Sequence, residues 1–379
     1  MKITFKTMLL TLATLLAGSC CQTRQEAQPS LKEALSGKFL IGTAMNAAQI
    51  NETDTASVRV IKEHFNAIVA ENCMKSMWLQ PQEGVFDFTL ADKLVEFGER
   101  NSMFMSGHVL IWHSQAPAWF FTDSQGQNVT REVMIERMKT HIQTVMEHYK
   151  GRVKEWEVVN EAIMDDGTYR KTKFYEIIGE DYVQLAFQFA READPDAELY
   201  YNDYSMALPG RRESVVAMVK KLQEAGLRID GIGMQTHVGM DYPDLAEYEK
   251  SLEAFAALGV KVMITEMDIT LLPFPDQSAG ADVNVSYEYQ QKMNPYAQGL
   301  PDSVNVLFEK RYFDFFSIFL KHKDVISRVT LWGVSDRLSW RNNWPIPGRT
   351  DYPLLFDRQN NPKPVVSKII AKALKTKKL

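Results

Sequence analysis

The chain of 379 residues is 45% hydrophobic and 24% charged, which is ordinary globular composition and excludes a disordered or collagen-like protein. Its three cysteines are too few for a disulfide framework, and none lies in a CxxC or CxxH zinc pattern. The formal net charge of −5 argues against a nucleic-acid partner, because nucleic-acid binding requires a basic surface.

Residues 1–19 predict a secretory signal peptide that is not part of the fold. Lys2 and Lys6 precede an apolar run over residues 8–17, which is too short to span a bilayer. The small residues at positions 18 and 19 then precede Cys20 and Cys21, and this pattern resembles a bacterial lipoprotein cleavage site.

A lipid on Cys20 or Cys21 would hold the mature protein on a membrane face, with residues 20–30 as a polar tether. The sequence therefore predicts an exported protein anchored on a bacterial outer membrane or cell surface, and the lipid is its expected membrane contact. A periplasmic or secreted protein without the lipid is the alternative.

From residue 31 onward, short apolar runs alternate with longer segments of helical periodicity. The apolar runs cover residues 39–43, 67–70, 104–109, 153–159, 198–201, 231–234, 260–265 and 329–332. The clearest helical segments cover residues 131–149, 181–193, 211–225 and 304–321. Eight strand–helix units predict an α/β fold in which residues 31–379 form a single (β/α)8 barrel. An open doubly wound sheet is the alternative, but no glycine-rich turn follows the first strand.

Polar and aromatic residues follow all eight predicted strands. In a (β/α)8 barrel these positions meet at one face, where such enzymes carry their active sites. They are Asn46, Glu71, Asn72, Lys75, His108, Trp112, His113, Asn160, Glu161, Asn202, Asp203, Tyr204, Gln235, His237, Glu266, Asp268, Trp332 and Asp336.

Glu161 and Glu266 each end an apolar strand, where an acid is costly to bury and is kept for chemistry or for an ion pair. The fourth and seventh strands lie nearly opposite each other in a barrel. Two carboxylates facing each other across a cleft suit glycoside hydrolysis, with retention at a separation of about 5–5.5 Å and inversion at a wider one. A structural ion pair at the barrel rim is the alternative for each glutamate.

Tryptophans are concentrated at the same predicted face. Five of the seven, Trp112, Trp119, Trp332, Trp340 and Trp344, fall on strand ends or on the loops that follow them. Sugar rings stack their CH faces on indole rings, so the cluster favours a carbohydrate ligand over a small apolar core in the loops.

At these residues the chain resembles glycoside hydrolase family 10, the endo-1,4-β-xylanases. Six motifs carry the resemblance and occur in the family's order: residues 71–75 (ENCMK), 107–113 (GHVLIWH), 156–162 (WEVVNEA), 235–237 (QTH), 264–269 (ITEMDI) and 331–336 (LWGVSD). The resemblance implies a retaining enzyme with Glu161 as the acid/base and Glu266 as the nucleophile. It implies that His237 hydrogen-bonds Glu266 and that Asp268 supports His237.

The resemblance also implies a set of substrate contacts. Asn160 would support catalysis by contacting both the sugar and the acid/base. The substrate-binding residues would be Glu71, Asn72, Lys75, His108, Trp112, Gln235, Trp332 and Trp340. The implied reaction is hydrolysis of internal β-1,4 bonds in xylan and xylooligosaccharides. We expect a monomer that uses no metal and no cofactor.

Two other functions stay open: a barrel glycanase acting on cellulose or mannan, and a surface glycan-binding lipoprotein without activity. The motifs at residues 71–75 and 107–113 favour xylan, and retention of both glutamates disfavours a binder. The main departure from the family is the stretch 271–303 after the seventh strand, where we expect an extended loop that reshapes the leaving-group subsites.

Overall fold

The computed structural model describes residues 28–274 and 292–376. The strands are β1 (Leu40–Met45), β2 (Ala67–Ala70), β3 (Phe104–Gly107), β4 (Ile111–Trp112), β5 (Glu155–Asn160), β6 (Glu198–Asp203), β7 (Gly231–Met234), β8 (His237–Gly239), β9 (Lys261–Thr270) and β10 (Ile326–Leu331). The helices are α1 (Leu31–Ala34), α2 (Ala47–Ile50), α3 (Thr55–His64), α4 (Ser76–Leu79), α5 (Thr89–Arg100), α6 (Arg131–His148), α7 (Lys173–Ile178), α8 (Tyr182–Ala193), α9 (Pro209–Glu224), α10 (Leu245–Ala256), α11 (Asp302–Lys321) and α12 (Pro364–Lys375).

The sheet closes on itself. Its strand order is β10-β1-β2-β3-β5-β6-β7-β9, and β9 also pairs with β10. All of these pairings are parallel, including the β1–β10 pair in which Thr43 faces Leu331. The predicted (β/α)8 barrel is therefore confirmed, and the open-sheet alternative is wrong.

The helices surround this barrel with one apolar face turned inward. In α6, for example, Met134, Met138, Ile142 and Val145 are buried at the spacing of one helical face. The side chain of Thr130 accepts a hydrogen bond from the Val133 N–H and so caps this helix. Within the described ranges, no helix is both long and apolar enough to span a membrane.

The barrel interior contains charge as well as apolar side chains. Arg328 of β10 lies across the barrel from Glu155 of β5, with Nη2 and Oε1 2.5 Å apart and both side chains buried. Burial raises the pKa of Glu155, while the Arg328 guanidinium acts in the opposite direction. This buried ion pair thus joins strands on two sides of the ring.

Strand β9 extends further than the sequence pattern predicts. The apolar run ends at Thr265, but the strand continues to Thr270 because β8 pairs with it, His237 facing Asp268. Glu266 and Asp268 therefore lie within a strand and not after one. Both carboxylates are buried, at 5% and 0% exposure.

Two predicted features lie partly or wholly outside the described residues. The signal peptide and both candidate lipidation cysteines precede residue 28, and residues 275–291 of the predicted extended loop are not described. The described flanks of that loop are anchored, since Arg349 Nη1 donates to the carbonyl of Pro273 at 2.9 Å and Asn294 accepts from the Thr350 N–H at 2.8 Å.

A glycine on β3 gives a test of the barrel packing. A Cβ added at Gly107 would lie 2.1 Å from the buried Trp156 ring, whereas one at Gly98 would lie 2.1 Å from the flexible Met105 side chain. We expect Gly107→Ala to lower the free energy of unfolding by about 1–3 kcal/mol through overpacking. Gly98→Ala, in helix α5, should change it by less than about 1 kcal/mol because alanine favours the helix. Urea denaturation measures both, and equal losses would contradict this account of the packing.

Candidate active site

The carboxyl ends of the strands surround a cleft of about 860 Å³. The predicted site residues that line it are Glu71, Asn72, Lys75, His108, Trp112, Asn160, Glu161, Gln235, His237, Glu266, Trp332 and Trp340. Asp268 is the one predicted residue that does not line the cleft, because it is fully buried behind His237.

Glu266 is a buried carboxylate held by two strands and only 5% exposed. Asn202 Nδ2 donates to Oε1 at 2.8 Å, and His237 Nε2 lies 3.3 Å from Oε2. Donors of this kind stabilise the ionised form of a carboxyl group. Glu266 is therefore held in place with its charge stabilised at the floor of the cleft.

Asn202 is itself fixed by its neighbours. Thr265 Oγ1 donates to Asn202 Oδ1 at 2.7 Å, which leaves the amide Nδ2 to face Glu266. A Cβ on Gly233 would lie 2.4 Å from Asn202 Oδ1, so only glycine fits beside this amide. Asn202 was among the strand-end residues of the sequence but was not included in the predicted site.

His237 is held from behind by Asp268. Its Nδ1 lies 3.0 Å from Asp268 Oδ2, and Asp268 in turn accepts from Trp340 Nε1 at 2.7 Å and Arg341 Nη2 at 2.9 Å. Burial alone would lower the pKa of His237, but the carboxylates of Asp268 and Glu266 outweigh it and raise that pKa to about 9. The imidazole is thus protonated at neutral pH and presents a charged donor to Glu266.

Glu161 has different surroundings. It follows β5 directly, is only partly buried, and has a φ of 58°, the left-handed region that non-glycine residues seldom occupy. Gln235 Nε2 donates to its Oε1 at 3.0 Å, and Asn160 Nδ2 lies 3.4 Å from the same atom. The side chain is therefore directed into the cleft by amide groups, and an unusual backbone conformation sets its direction.

Gln235 connects the two glutamates. Its side chain bonds Glu161, while its backbone carbonyl accepts from the Glu266 N–H at 3.0 Å. Glu161, which follows β5, and Glu266 in β9 are thus both hydrogen-bonded to one residue at the end of β7. Their separation is fixed by the barrel and not by a flexible loop.

A further carboxylate beneath the cleft was missed by the sequence reasoning. Glu157 Oε2 lies 2.8 Å from His108 Nδ1 and accepts from Asn202 Nδ2 at 2.9 Å. Burial raises the pKa of Glu157 to about 7 and lowers that of His108 to about 4. A signal did exist, since Glu155 and Glu157 alternate within an otherwise apolar strand and so share its inner side.

His108, Glu157 and Glu266 also place three potential metal-ligating atoms within 4.8 Å of one another. Each of these groups already has a protein partner, as His108 and Glu157 bond each other and Asn202 bonds both glutamates. The contacts are those of a hydrogen-bonded network, and the expectation that the protein needs no metal stays a prediction.

One wall of the cleft follows β2. Lys75 Nζ donates to Asn72 Oδ1 at 3.0 Å and lies 4.9 Å from the centre of the Trp112 ring. Burial lowers the pKa of Lys75 and raises that of Glu71. Trp112 Nε1 is buried without a hydrogen-bond partner among the described residues, so this donor is available to a ligand hydroxyl.

Aromatic rings form the opposite wall. The His237 ring lies 6.3 Å from that of Trp332 and 5.0 Å from that of Trp340, and Trp344 follows 5.0 Å beyond Trp340. The cleft also includes residues outside the predicted site: Ser114, Gln115, Tyr204, Ser205, Tyr242, Phe274, Arg341 and Trp344. Tyr204 and Trp344 were visible in the sequence as a strand-end residue and a loop tryptophan, whereas nothing in the sequence pattern marked Arg341.

The cleft therefore has two acids and walls of aromatic rings. Comparison of the whole sequence with known proteins identifies the family to which such a site belongs. The profile of the family described as Glycosyl hydrolase family 10 matches residues 30–372 of the chain. Endo-1,4-beta-xylanase A of Xylanibacter ruminicola is 52% identical over 343 residues, which are 90% of this chain and 93% of that protein. Endo-1,4-beta-xylanase of Geobacillus stearothermophilus is 41% identical, over 90% of this chain and 98% of that protein.

Solved structures show a similarity to the same family. A GH10 endoxylanase retrieved from a sugarcane soil metagenome matches the fold with a TM-score of 0.85 at 43% sequence identity. The match covers 91% of this chain and 99% of that one.

The raised pKa of His237 predicts a pH dependence of stability. A histidine in the unfolded chain titrates near 6.5, so the stabilisation from protonated His237 is fully present below that pH and is lost as pH rises through about 9. We expect the difference in unfolding free energy between wild type and His237→Asn to shrink between pH 6 and pH 10, as measured by urea denaturation. Parallel pH curves for the two proteins would contradict this interpretation.

Proposed function

The chain belongs to glycosyl hydrolase family 10, and we propose that it is a retaining endo-1,4-β-xylanase in which Glu161 is the acid/base and Glu266 the nucleophile. One observation carries the residue assignment. Glu161 and Glu266 come from distant strands, line the same cleft, and are held by separate sets of donors.

Retaining hydrolysis proceeds in two displacements. The Glu266 carboxylate attacks the anomeric carbon while Glu161 donates its proton to the leaving glycosidic oxygen. Glu161 then acts as a base and removes a proton from the water that hydrolyses the glycosyl–enzyme bond. The same two residues therefore serve both steps.

The surroundings of each glutamate suit its role. Glu266 must be ionised to attack, and Asn202 and protonated His237 stabilise that charge. Glu161 must begin protonated, and it is contacted by the neutral amides of Gln235 and Asn160.

Substrate binding follows from the walls of the cleft. Asn72, Lys75 and Trp112 offer hydroxyl-binding groups on one side, and His108 presents the Nε2 that its bond to Glu157 leaves free. Trp332 and Trp340 supply the stacking surface for sugar rings. The named relatives support xylan as the substrate, and an open cleft suits internal bonds of a long chain.

Variants of the two glutamates test the roles separately. We expect Glu161→Ala to lower kcat/KM on glucuronoxylan by about 10²–10⁴-fold, because it removes the proton donor. It should retain much more activity on 2,4-dinitrophenyl β-xylobioside, whose leaving group needs no proton. Glu266→Ala should lose more than about 10⁴-fold on both substrates, because no nucleophile remains.

Glu176→Ala is the matched control, since Glu176 is exposed on α7 and, within the described part of the chain, pairs only with Lys173. Oligosaccharide products measured by chromatography report the activity, with carboxymethyl-cellulose and mannan as parallel substrates. Wild-type activity confined to cellulose or mannan would replace the substrate assignment. Retained activity of Glu266→Ala on the activated glycoside would overturn the role of the nucleophile.

We also propose that the mature protein works as a monomer outside the cytoplasm, anchored by a lipid on Cys20 or Cys21. The small residues before this cysteine pair and the short apolar run before them support the proposal. In a bacterial host, the double variant Cys20→Ser/Cys21→Ser should move the enzyme from the membrane fraction to the soluble fraction.

The single variants then identify the lipidated residue, and Cys73→Ala serves as the control because Cys73 is a buried residue of the barrel. A double variant that stays on the membrane would refute the anchor. A wild-type protein found only in the medium would do the same.

A further inference from the structure

Arg170 makes two hydrogen bonds next to Glu161. Its Nε donates to the backbone carbonyl of Glu161 at 3.0 Å, and its Nη2 donates to the Tyr204 hydroxyl at 2.6 Å. Both acceptors are neutral oxygens, whereas the neighbouring Arg211 pairs with the carboxylates of Asp203 and Asp165. The Arg170 guanidinium thus bridges the backbone of Glu161 and a side chain of another loop.

The backbone that Arg170 holds is strained. A non-glycine residue in the left-handed region costs on the order of 1–3 kcal/mol and persists only where its surroundings hold it. Around Glu161, the Asn202 carbonyl accepts from the Glu161 N–H at 2.9 Å, and the Tyr201 hydroxyl accepts from the Ala162 N–H at 3.0 Å. Arg170 supplies the remaining contact, to the carbonyl between those two N–H groups.

Tyr204 gives this contact a link to the cleft. The phenol lines the cleft on the side of Glu161, and its ring lies against two guanidinium groups, that of Arg211 at 4.3 Å and that of Arg170 at 5.8 Å. Arg211 is fully buried and anchored by Asp203, so the ring has a rigid support. A shift of the Tyr204 hydroxyl would therefore be passed through Arg170 to the peptide that orients Glu161.

We propose that Arg170 is a positioning residue for the proton donor: it fixes the strained peptide after Glu161 and ties it to the cleft wall at Tyr204. The inference rests on the proposed function, because it concerns the step in which Glu161 protonates the leaving oxygen. Loss of Arg170 should impair proton donation while leaving attack by Glu266 intact.

Leaving-group dependence separates this role from a general structural one. In Arg170→Met we expect kcat on xylohexaose to fall by about 10²-fold, within the range that general acid catalysis contributes. KM should stay within about twofold, because ground-state binding is unchanged. On 2,4-dinitrophenyl β-xylobioside, whose leaving group departs without a proton, kcat/KM should change less than about threefold, because this ratio reports only the first displacement, in which Glu266 attacks. Tyr204→Phe, which removes only the hydroxyl, should also lower activity on xylohexaose more than activity on the activated xyloside, but by a smaller factor than Arg170→Met.

Arg137→Met is the matched control. Arg137 also donates to backbone carbonyls, those of Trp119 and Thr122, but it lies away from Glu161. Arg137→Met should reduce Tm without changing the ratio of the activity on xylohexaose to that on the activated xyloside. If Arg170→Met does not fold, Arg170→Lys replaces it, because a lysine ammonium keeps the charge but lacks the planar fork that reaches both acceptors.

Equal losses of kcat/KM on both substrates, or no loss on either, would overturn the positioning role while leaving the xylanase assignment intact. A wild-type enzyme without activity on either xyloside would overturn the proposed function, and this inference with it.

Discussion

The carboxylate of Glu266 is almost completely buried, and a buried charge is tolerated only when hydrogen-bond donors surround it. Here the donors come from other strands: Asn202 from β6 and His237 from β8. Each donor needs its own support, which Thr265 gives to Asn202 and Asp268 gives to His237. Much of the polar network at the carboxyl ends of the strands therefore serves to stabilise this single charge. The residues of that network come from several strands, and the closed barrel brings them to one place.

The two glutamates obtain their precision by different means. Glu266 lies within a strand, so the sheet defines its backbone and the neighbouring side chains define its charge. Glu161 lies just beyond a strand, in a conformation that its own sequence disfavours, and contacts from β6 and from Arg170 hold it there. Because Gln235 bonds the side chain of one and the backbone of the other, displacement of β7 would disturb both at once.

The sequence predicted the barrel and most of the cleft because strand periodicity and strand-end polarity are local patterns. Its errors have a common physical origin. The continuation of β9 past Thr265 depends on pairing with β8, and the roles of Glu157 and Asn202 depend on contacts with His108 and Glu266 on other strands. Arg170 lies in a loop and Arg341 in a single turn of 3-10 helix, neither with a periodic pattern, and only the folded chain shows that each supports a residue of the site.

The order in which the ring is completed has a consequence for biosynthesis. Strand β10, which begins at Ile326, is the piece that pairs with both β1 and β9, and Arg341 beyond it completes the surroundings of Asp268. A nascent chain that has not reached this point carries two unpaired strand edges, which are templates for aggregation. It also lacks a finished site, so hydrolysis arises only after the last strand has joined the first. Catalytic activity therefore reports closure of the whole ring and not the folding of any part of it.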